Sequence, residues 1–312
     1  MAFFKLSPFA RRRFKRRITP FRRRRPTFRR RTMRFSGRNR RSMFKKRVLN
    51  FSTKKKMDSM LTAVVAPVTT SPPVVTPGAI TIASTQGTEH FVFGATLRTF
   101  SGSLPAQNSQ RTSTETFPVG LKERLRFAVT DGNTWYWRRI CFTTYGSEIW
   151  NGTLGNAGAT GFNQPPVGII SGSFYRAWLA LGGATQNAEQ LAIFTHLTTL
   201  VFRGIFNEDY TDYMTAPTNA RAIKVFHDRV TKISSGNEEG AYKITARWHP
   251  MRKRLVYDDL EEGAAEASSL YSAPGRSSFG DYYVYDIIQP SDTTNGSQIT
   301  FAADSTFYWH EK

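Results

Sequence analysis

The chain has 312 residues, of which 39% are hydrophobic and 13% aromatic, so a wholly disordered protein is excluded and a sizeable core is expected. The formal net charge of +21 at pH 7 indicates a polyanionic partner. The single cysteine, Cys141, excludes an intrachain disulfide and a thiolate zinc site, and no apolar run is long enough to predict a membrane-spanning helix.

The positive charge is concentrated at the N-terminus. Residues 1–56 contain 24 Lys and Arg and no acid, whereas the rest of the chain has 20 basic and 23 acidic residues. Like charges at this density repel one another, so we expect residues 1–56 to form an arm that stays disordered until a polyanion neutralises it. Arginine forks bond phosphate oxygens in pairs, which predicts salt-sensitive binding of nucleic acid without base specificity.

The basic residues of the arm form seven clusters, which we predict to contact phosphates. An import signal for the nucleus, an anionic-membrane segment, and the tail of a ribosomal or chromatin protein are the alternatives. An import signal needs only one or two clusters, so nuclear import is expected as a second use of the same residues. The predicted contact residues are Arg11, Arg12, Arg13, Arg16, Arg17, Arg22, Arg23, Arg24, Arg25, Arg29, Arg30, Arg31, Arg40, Arg41, Lys45, Lys46, Arg47, Lys54, Lys55 and Lys56.

Four phenylalanines recur every seven residues along the arm, at Phe14, Phe21, Phe28 and Phe35. Prolines between them exclude a coiled-coil helix. Two interpretations stay open: the rings stack on unpaired bases while the arginines hold phosphates, or the register is a decayed repeat in which Phe is tolerated.

Beyond the arm, β-type segments follow one another at loose spacing. The turn signal at 131–133 predicts a hairpin between two of them, and residues 67–78 and 146–166 are predicted loops. Residues 188–199 are the one plausible helix of any length. The predicted strands are 60–66, 90–100, 124–129, 134–145, 174–181, 200–206, 222–233, 242–249, 282–288 and 298–309.

This pattern favours an all-β sandwich or jelly roll over an alternating α/β fold. The sequence lacks a Walker-type phosphate loop, a G-x-S-x-G elbow and an H-E-x-x-H motif, so we expect no enzyme, no cofactor and no resident metal. Cys141 is expected to be a small core residue. The five histidines are scattered, and each is expected in the core or at the surface: His90, His196, His227, His249 and His310.

One acidic cluster comprises Asp258, Asp259, Glu261 and Glu262, with Glu266 nearby. Carboxylates this close could hold a divalent cation at a subunit contact, but they lack the spacing of a calcium loop, so a solvated loop is the alternative. Residues 209 and 212, both Asp, likewise suit a loop.

Several short segments in the chain resemble the capsid proteins of genomoviruses, which are small circular single-stranded DNA viruses, and more distantly the coat proteins of geminiviruses. They are VLNFSTKKKMD at 48–58, GLKE at 120–123, DGNTWYWRRICF at 131–142, WHPM at 248–251, LVYDD at 255–259, GDYYVYD at 280–286 and STFYWHEK at 305–312. The segments keep their order and span nearly the whole chain.

The resemblance implies a single jelly-roll shell domain at 57–312 that assembles into a small icosahedral shell of about sixty copies. The arm at 1–56 would then lie on a packaged single-stranded DNA genome. It also implies entry into the host nucleus, with an import receptor as a further partner, and a final location in the virion. The alternative from another class is a nucleic-acid-binding protein, of movement, chromatin or ribosomal type, that forms no shell.

The motif at 131–142 carries two further expectations. Trp135 and Trp137, like Trp248 and Trp309 further on, are expected in the sandwich core or at subunit contacts. Strand alternation sends the side chains of the adjacent arginines at 138 and 139 to opposite faces. Either one of them faces the shell interior as an additional DNA contact, or both are plain surface charges.

Overall fold

The computed structural model describes residues 52–65, 75–98, 100, 110–146, 149, 168–170, 173–182, 186, 188–263, 265–275 and 277–311. The predicted arm up to residue 51 lies outside these ranges, as does most of the predicted loop 146–166. The strands are β1 (Lys54–Met60), β2 (Thr62–Val65), β3 (Val75–Pro77), β4 (Ile80–Ala83), β5 (Glu89–Gly94), β6 (Glu115–Val129), β7 (Trp135–Thr144), β8 (Gly168–Ile170), β9 (Ser173–Trp178), β10 (Lys224–Ile233), β11 (Ala241–Pro250), β12 (Leu255–Val256), β13 (Leu260–Glu262), β14 (Ala265–Ala267), β15 (Asp281–Pro290) and β16 (Gln298–Glu311).

Two large antiparallel sheets contain most of these strands. The first sheet has the order β1-β16-β6-β11, with β4 beside β16 and β12 beside β6; the second has the order β10-β7-β15-β5. Numbered one to eight along the chain, the strands on these two paths lie in the orders 1-8-3-6 and 5-4-7-2. All but one of the connections cross between sheets, which is the arrangement of a jelly roll, so the predicted fold is confirmed.

The space between the sheets is filled by aromatic and branched side chains from both of them. The Phe127 ring of β6 lies 4.9 Å from Trp137 of β7 and 4.6 Å from Phe301 of β16, measured between ring centroids. Trp135 and Trp309 are buried as well, as expected. Each fully buried large side chain contributes roughly 1.5–3 kcal/mol, so this layer is a main source of folding free energy.

The second sheet is covered on its other face by the helix α1 (Ala188–Val201). Ile193, Leu197 and Val201 recur every four residues on one face of α1, and they share a core cluster with Tyr283 and Tyr285 of β15. Both faces of the second sheet are therefore buried, which explains why β15 is apolar at most positions instead of alternating. The outer face of the first sheet has no such cover within the described residues.

Two sequence-based predictions about local structure are wrong. The turn at 131–133 joins β6 to β7, but these strands belong to different sheets and do not form a hairpin. Its side chains bond instead to the loop before β16: Asn133 Nδ2 donates to the Asp292 carbonyl at 3.0 Å, and the Ser297 hydroxyl donates to Asp131. The predicted strand 200–206 is also incorrect, because α1 continues to Val201, whose side chain completes its buried face.

Four oppositely charged side chains meet between the sheets and form an ionic centre: Glu123 of β6, Arg139 of β7, Arg176 of β9 and Asp286 of β15. Arg139 Nε lies 2.7 Å from Asp286 Oδ1 and its Nη1 contacts Glu123, while Arg176 bonds Glu123 Oε1 and Asp286 Oδ2 at 3.1 Å each. All four are buried. The predicted role of Arg139 as a surface charge or a DNA contact is therefore wrong, because both of its bonding edges are occupied by buried carboxylates.

Neighbouring polar groups complete the ionic centre. His249 Nε2 lies 3.0 Å from Glu123 Oε2, and the Trp137 indole N–H donates to Asp286 Oδ1 at 2.8 Å. Burial alone would raise the pKa of Glu123, but the charge of Arg139, the bond with His249 and the charge of Arg176 together hold it well below its usual range. Glu123 is therefore an ionised carboxylate inside the sandwich, and its charge is compensated on every side.

Arg138 points to the opposite face of β7, as alternation predicts, but it too is buried and paired. Its Nε and Nη2 bond Asp228 of β10 at 2.9 and 2.7 Å, and its Nη1 donates to the carbonyls of Tyr213 and Ala216 at 2.6 and 2.8 Å. The guanidinium thus fixes the loop after α1 to the second sheet. The predicted surface or DNA-contact role of Arg138 is wrong for this reason.

Replacing Arg176 by Met should lower the free energy of unfolding by about 3–5 kcal/mol, because it leaves two buried carboxylates with one cation between them. Arg126→Met is the matched control: Arg126 lies 3.8 Å from Asp304, both are about half exposed, and its loss should cost less than about 1 kcal/mol. Urea unfolding followed by tryptophan fluorescence measures both. Similar small losses in the two variants would contradict the role assigned to the ionic centre.

Candidate nucleic-acid interface

Of the predicted phosphate-contact residues, only Lys54, Lys55 and Lys56 lie within the described residues. Lys54 and Lys55 are exposed at the start of β1, whereas Lys56 is buried. The Lys56 Nζ lies 2.9 Å from Glu311 Oε2 and donates to the Gln110 carbonyl at 2.8 Å. Side chains alternate between the two faces of β1, and that of Lys56 points inward. Lys56 is therefore buried in an ion pair and does not contact phosphate.

The predicted boundary between arm and body shifts for the same reason. The sequence predicts the boundary after residue 56, whereas β1 begins at Lys54, which pairs with Glu311 of the C-terminal strand β16. The last basic cluster is thus the first strand of the sandwich. The arm is covalently joined to the body at the edge of the first sheet, beside the end of β16.

The outer face of the first sheet carries a row of cations. Lys122, Arg124 and Arg126 stand at alternate positions of β6, and all three are exposed. Asp304 of β16 lies opposite Arg124 in the register and 3.8 Å from Arg126, and it is itself about half exposed. The face as a whole is basic. Alternation along KERLRF could have revealed this row, but the predicted strand began only at residue 124.

Aromatic rings lie among these cations. Trp248 of β11 is 45% exposed, and its ring centroid lies 6.0 Å from that of Tyr308. It crosses β6 at Gly120, where a Cβ atom would come within 2.6 Å of the indole, so glycine is required there. Trp248 is thus not a core residue, unlike the other three tryptophans of that prediction. Exposed rings interleaved with cations are the pattern that binds single-stranded nucleic acid on a sheet surface.

A third aromatic lies where the arm joins the body. Lys55, His310 and Phe117 are successive cross-strand partners on β1, β16 and β6, and the rings of Phe117 and His310 stack at 6.5 Å between centroids. Burial, together with the charge of Lys55, lowers the pKa of His310. This stack links the root of the arm to the basic face of the sheet.

The outer edges of both sheets expose apolar side chains. β10 and β11 are end strands in the second and first sheets, and neither has a partner on its outer side among the described strands. Phe226 and Val230 of β10 and Tyr242 and Ile244 of β11 are between 37% and 66% exposed. Long unpaired edges with exposed apolar residues are typical of surfaces that contact another chain.

The other predicted sites do not come together. In the predicted acidic cluster, Asp259 is bound by Arg111, whose Nη2 lies 2.9 Å from its Oδ1, while Glu261 and Glu262 stand exposed on β13. Asp209 accepts the Ile205 N–H at 2.7 Å in a loop turn, as its predicted loop role requires. Within the ranges that the structure describes, no three His, Cys, Asp or Glu side chains are arranged to hold a metal ion.

The remaining single residues are placed by packing. Cys141 is buried as predicted, 3.5 Å from His249 Nδ1, and burial raises the pKa of its thiol to about 12. Desolvation lowers the pKa of the buried His90 to about 3, so this side chain is neutral. None of the described helices is long and apolar enough to cross a membrane.

Trp248→Leu should weaken binding of oligo(dT) by about 1–3 kcal/mol if a base stacks on the exposed indole. The matched control is Tyr136→Leu, which removes an exposed ring from the second sheet, 36% exposed, and should leave the affinity unchanged. Fluorescence anisotropy with labelled oligo(dT) at several salt concentrations measures both variants. An equal loss for the two variants would argue against the sheet face as a stacking surface.

No protein-family model matches this sequence, and no curated protein is significantly similar to it.

Proposed function

We propose that this chain is the capsid protein of a small single-stranded DNA virus, which assembles into a closed shell and packages the genome through its basic arm. One observation carries the proposal: a polycation with 21 basic residues and no acid leads directly into the first strand of a jelly-roll sandwich. Jelly rolls occur in viral capsid and lectin domains, so the fold alone does not decide the function. The attached polycation favours the capsid, in agreement with the genomovirus resemblance.

Packaging follows from the charge of the arm. Each phosphate that an arginine neutralises releases condensed counterions, so binding is tight, independent of sequence and weakened by salt. In a shell of about sixty copies the arms bring roughly 1,400 positive charges to the interior, enough to neutralise about 1.4 kilobases of single-stranded DNA. The body has nearly equal numbers of acids and bases and contributes little to this charge.

Shell contacts are assigned to the edges of the sandwich. The outer edges of β10 and β11 are unpaired among the described strands, and a second copy of the chain would cover them together with the exposed Val230 on β10. The outer face of the first sheet, with its cations and Trp248, is assigned to the interior. The loops that lie away from this face are then assigned to the outer surface of the particle.

The remaining partners follow from the same residues. Basic clusters of the arm serve nuclear import before assembly, through a host import receptor, because such genomes replicate in the nucleus in the family that the chain resembles. The protein acts structurally, without an enzymatic step, and its final location is the virion.

Deleting residues 1–47 should leave the sandwich folded and abolish retention of DNA, because 21 of the 24 basic residues of the arm are removed. Circular dichroism checks the fold, the ratio of absorbance at 260 and 280 nm checks the nucleic-acid content, and negative-stain microscopy checks for shells. Empty shells or free subunits are expected. Truncated particles with a full DNA load would show that the arm is not the packaging element.

A charge-preserving variant provides the control. Replacing the arm arginines by lysine keeps the charge and loses only the bidentate geometry. Packaging should therefore persist, with a lower affinity for DNA at high salt. If the full-length protein coats DNA as open filaments and never closes a shell, the alternative of a nucleic-acid-coating protein replaces the capsid proposal.

A further inference from the structure

A second basic site lies at one end of the sandwich, where β7 ends and β10 begins. It is a groove of about 1070 Å³, and we call it the end groove. Its floor contains Thr144 and Phe279, and its rim carries Arg221, Lys224 and Lys253. None of these residues belongs to the arm or to the cationic row on β6, so the end groove is a separate concentration of positive charge.

The cations of the end groove lack acidic partners. Arg221, Lys224, Arg252 and Lys253 are all exposed, and none of them forms a salt bridge with any described carboxylate. Arg254, beside them, bonds the exposed Glu115. The buried arginines of this sandwich have carboxylate partners, whereas these four cations share a groove without a carboxylate partner among the described residues, which makes the groove a site of positive potential.

Two of these cations lie close together, because both reach the ring of Phe226. The proximity of Lys224, followed by desolvation, lowers the pKa of Lys253. Aromatic rings hold them in place: Lys224 Nζ lies 5.8 Å and Lys253 Nζ 5.7 Å from the centroid of Phe226, and Lys253 lies 5.6 Å from Phe279. Like charges so close repel each other, and an anion between them would remove the repulsion.

The backbone also presents these side chains outward. Arg252 adopts a left-handed conformation with φ of +47°, which is unfavourable for a residue with a Cβ atom. The turn follows Met251, which is buried, so the chain reverses abruptly from the core and exposes three consecutive basic residues. A strained conformation persists only where the surrounding structure enforces it. At Arg252 this conformation places basic side chains on the rim of the end groove.

The end groove is continuous with the root of the arm. Phe117 lines the groove and stacks on His310, which is the cross-strand partner of Lys55 on β1. Lys55, at the start of β1, is therefore joined to the groove by a stack of two rings. An exposed cation with aromatic rings beside the groove favours nucleic acid over an unrelated anion.

We propose that the end groove is a phosphate-binding site of the body, which takes a phosphodiester segment of the same single-stranded nucleic acid that the arm packages. The inference depends on the proposed function for the identity of its ligand. Recognition is through phosphate oxygens between Lys224 and Lys253, with Arg221 and Arg252 on the rim, so it carries no base specificity. The rival occupant is the acidic hairpin of β13 and β14 from a second copy, whose Glu261 and Glu262 are exposed.

Lysine footprinting of the full-length protein tests the proposal site by site. An amine-acylating reagent is applied with and without an oligo(dT) of about 20 nucleotides, and peptide mass spectrometry gives the modification rate at each lysine. In unassembled protein, Lys224 and Lys253 should be protected by oligo(dT), while Lys232 and Lys243, exposed on β10 and β11, keep their rates. Unchanged modification rates at Lys224 and Lys253 in a protein that binds oligo(dT) would refute the phosphate-binding role of the groove without contradicting the proposed function.

Two further outcomes separate the explanations. If the full-length protein binds no oligo(dT) at all, both the proposed function and the groove fail. If Lys224 and Lys253 become protected on assembly without nucleic acid, and oligo(dT) adds nothing, the acidic hairpin of a second copy occupies the groove and the phosphate site is rejected.

A pair of double variants provides an independent measurement. Lys224→Gln with Lys253→Gln should reduce the slope of log affinity against log salt by roughly 1.4, because two phosphates lose their cations at about 0.7 each. Lys232→Gln with Lys243→Gln removes the same charge elsewhere and should leave the slope unchanged. Lys224→Arg with Lys253→Arg should restore it; equal slopes in the two glutamine variants would refute the site.

Discussion

The ionic centre between the two sheets is the interaction on which the rest of this structure depends. Its two arginines and two carboxylates come from β6, β7, β9 and β15, so it ties both large sheets and one smaller strand together. Buried charges are tolerated only when each has its partner in place. The sheets are therefore held in one relative position, because a slip of either would leave a charge unpaired in the core. The apolar layer around the centre contributes folding free energy, but it does not fix the relative position of the two sheets in the same way.

This centre explains how the molecule divides its charges. The inward cations Arg138, Arg139 and Arg176 are all matched by acids or carbonyls, so they contribute nothing to the outer potential. The outward cations are mostly unmatched, on β6 and around the end groove. The acids and bases of the body nearly cancel in number, so its basic surfaces are local, on β6 and around the end groove. Net charge per domain does not show this clustering.

The fold was largely predictable because it depends on strand periodicity and strand count. The helix near residues 188–199, the buried Cys141 and the opposite orientations of Arg138 and Arg139 also followed from local patterns. Local patterns do not show which residues from distant parts of the chain meet in the fold. A turn at 131–133 looks the same whether its strands pair or lie in different sheets. Alternation along β7 gives the face of an arginine, but not whether an acid such as Glu123 of the other sheet lies opposite it across the core. Lys56 was misassigned for the same reason, since its partner Glu311 lies 255 positions along the chain.

The pairing of β1 with β16 has a mechanical consequence. Seven residues from Lys54 to Met60 are in register with seven on β16, and the Lys56–Glu311 ion pair closes the end nearest the arm. Tension that a cargo exerts on the arm along the direction of β1 loads this strand in shear. Rupture under shear requires the backbone bonds of the whole strand to break nearly together, instead of one after another as in peeling. The arm is therefore attached through a strand that resists tension along its own axis, and the load is transmitted to β16, an inner strand of the first sheet.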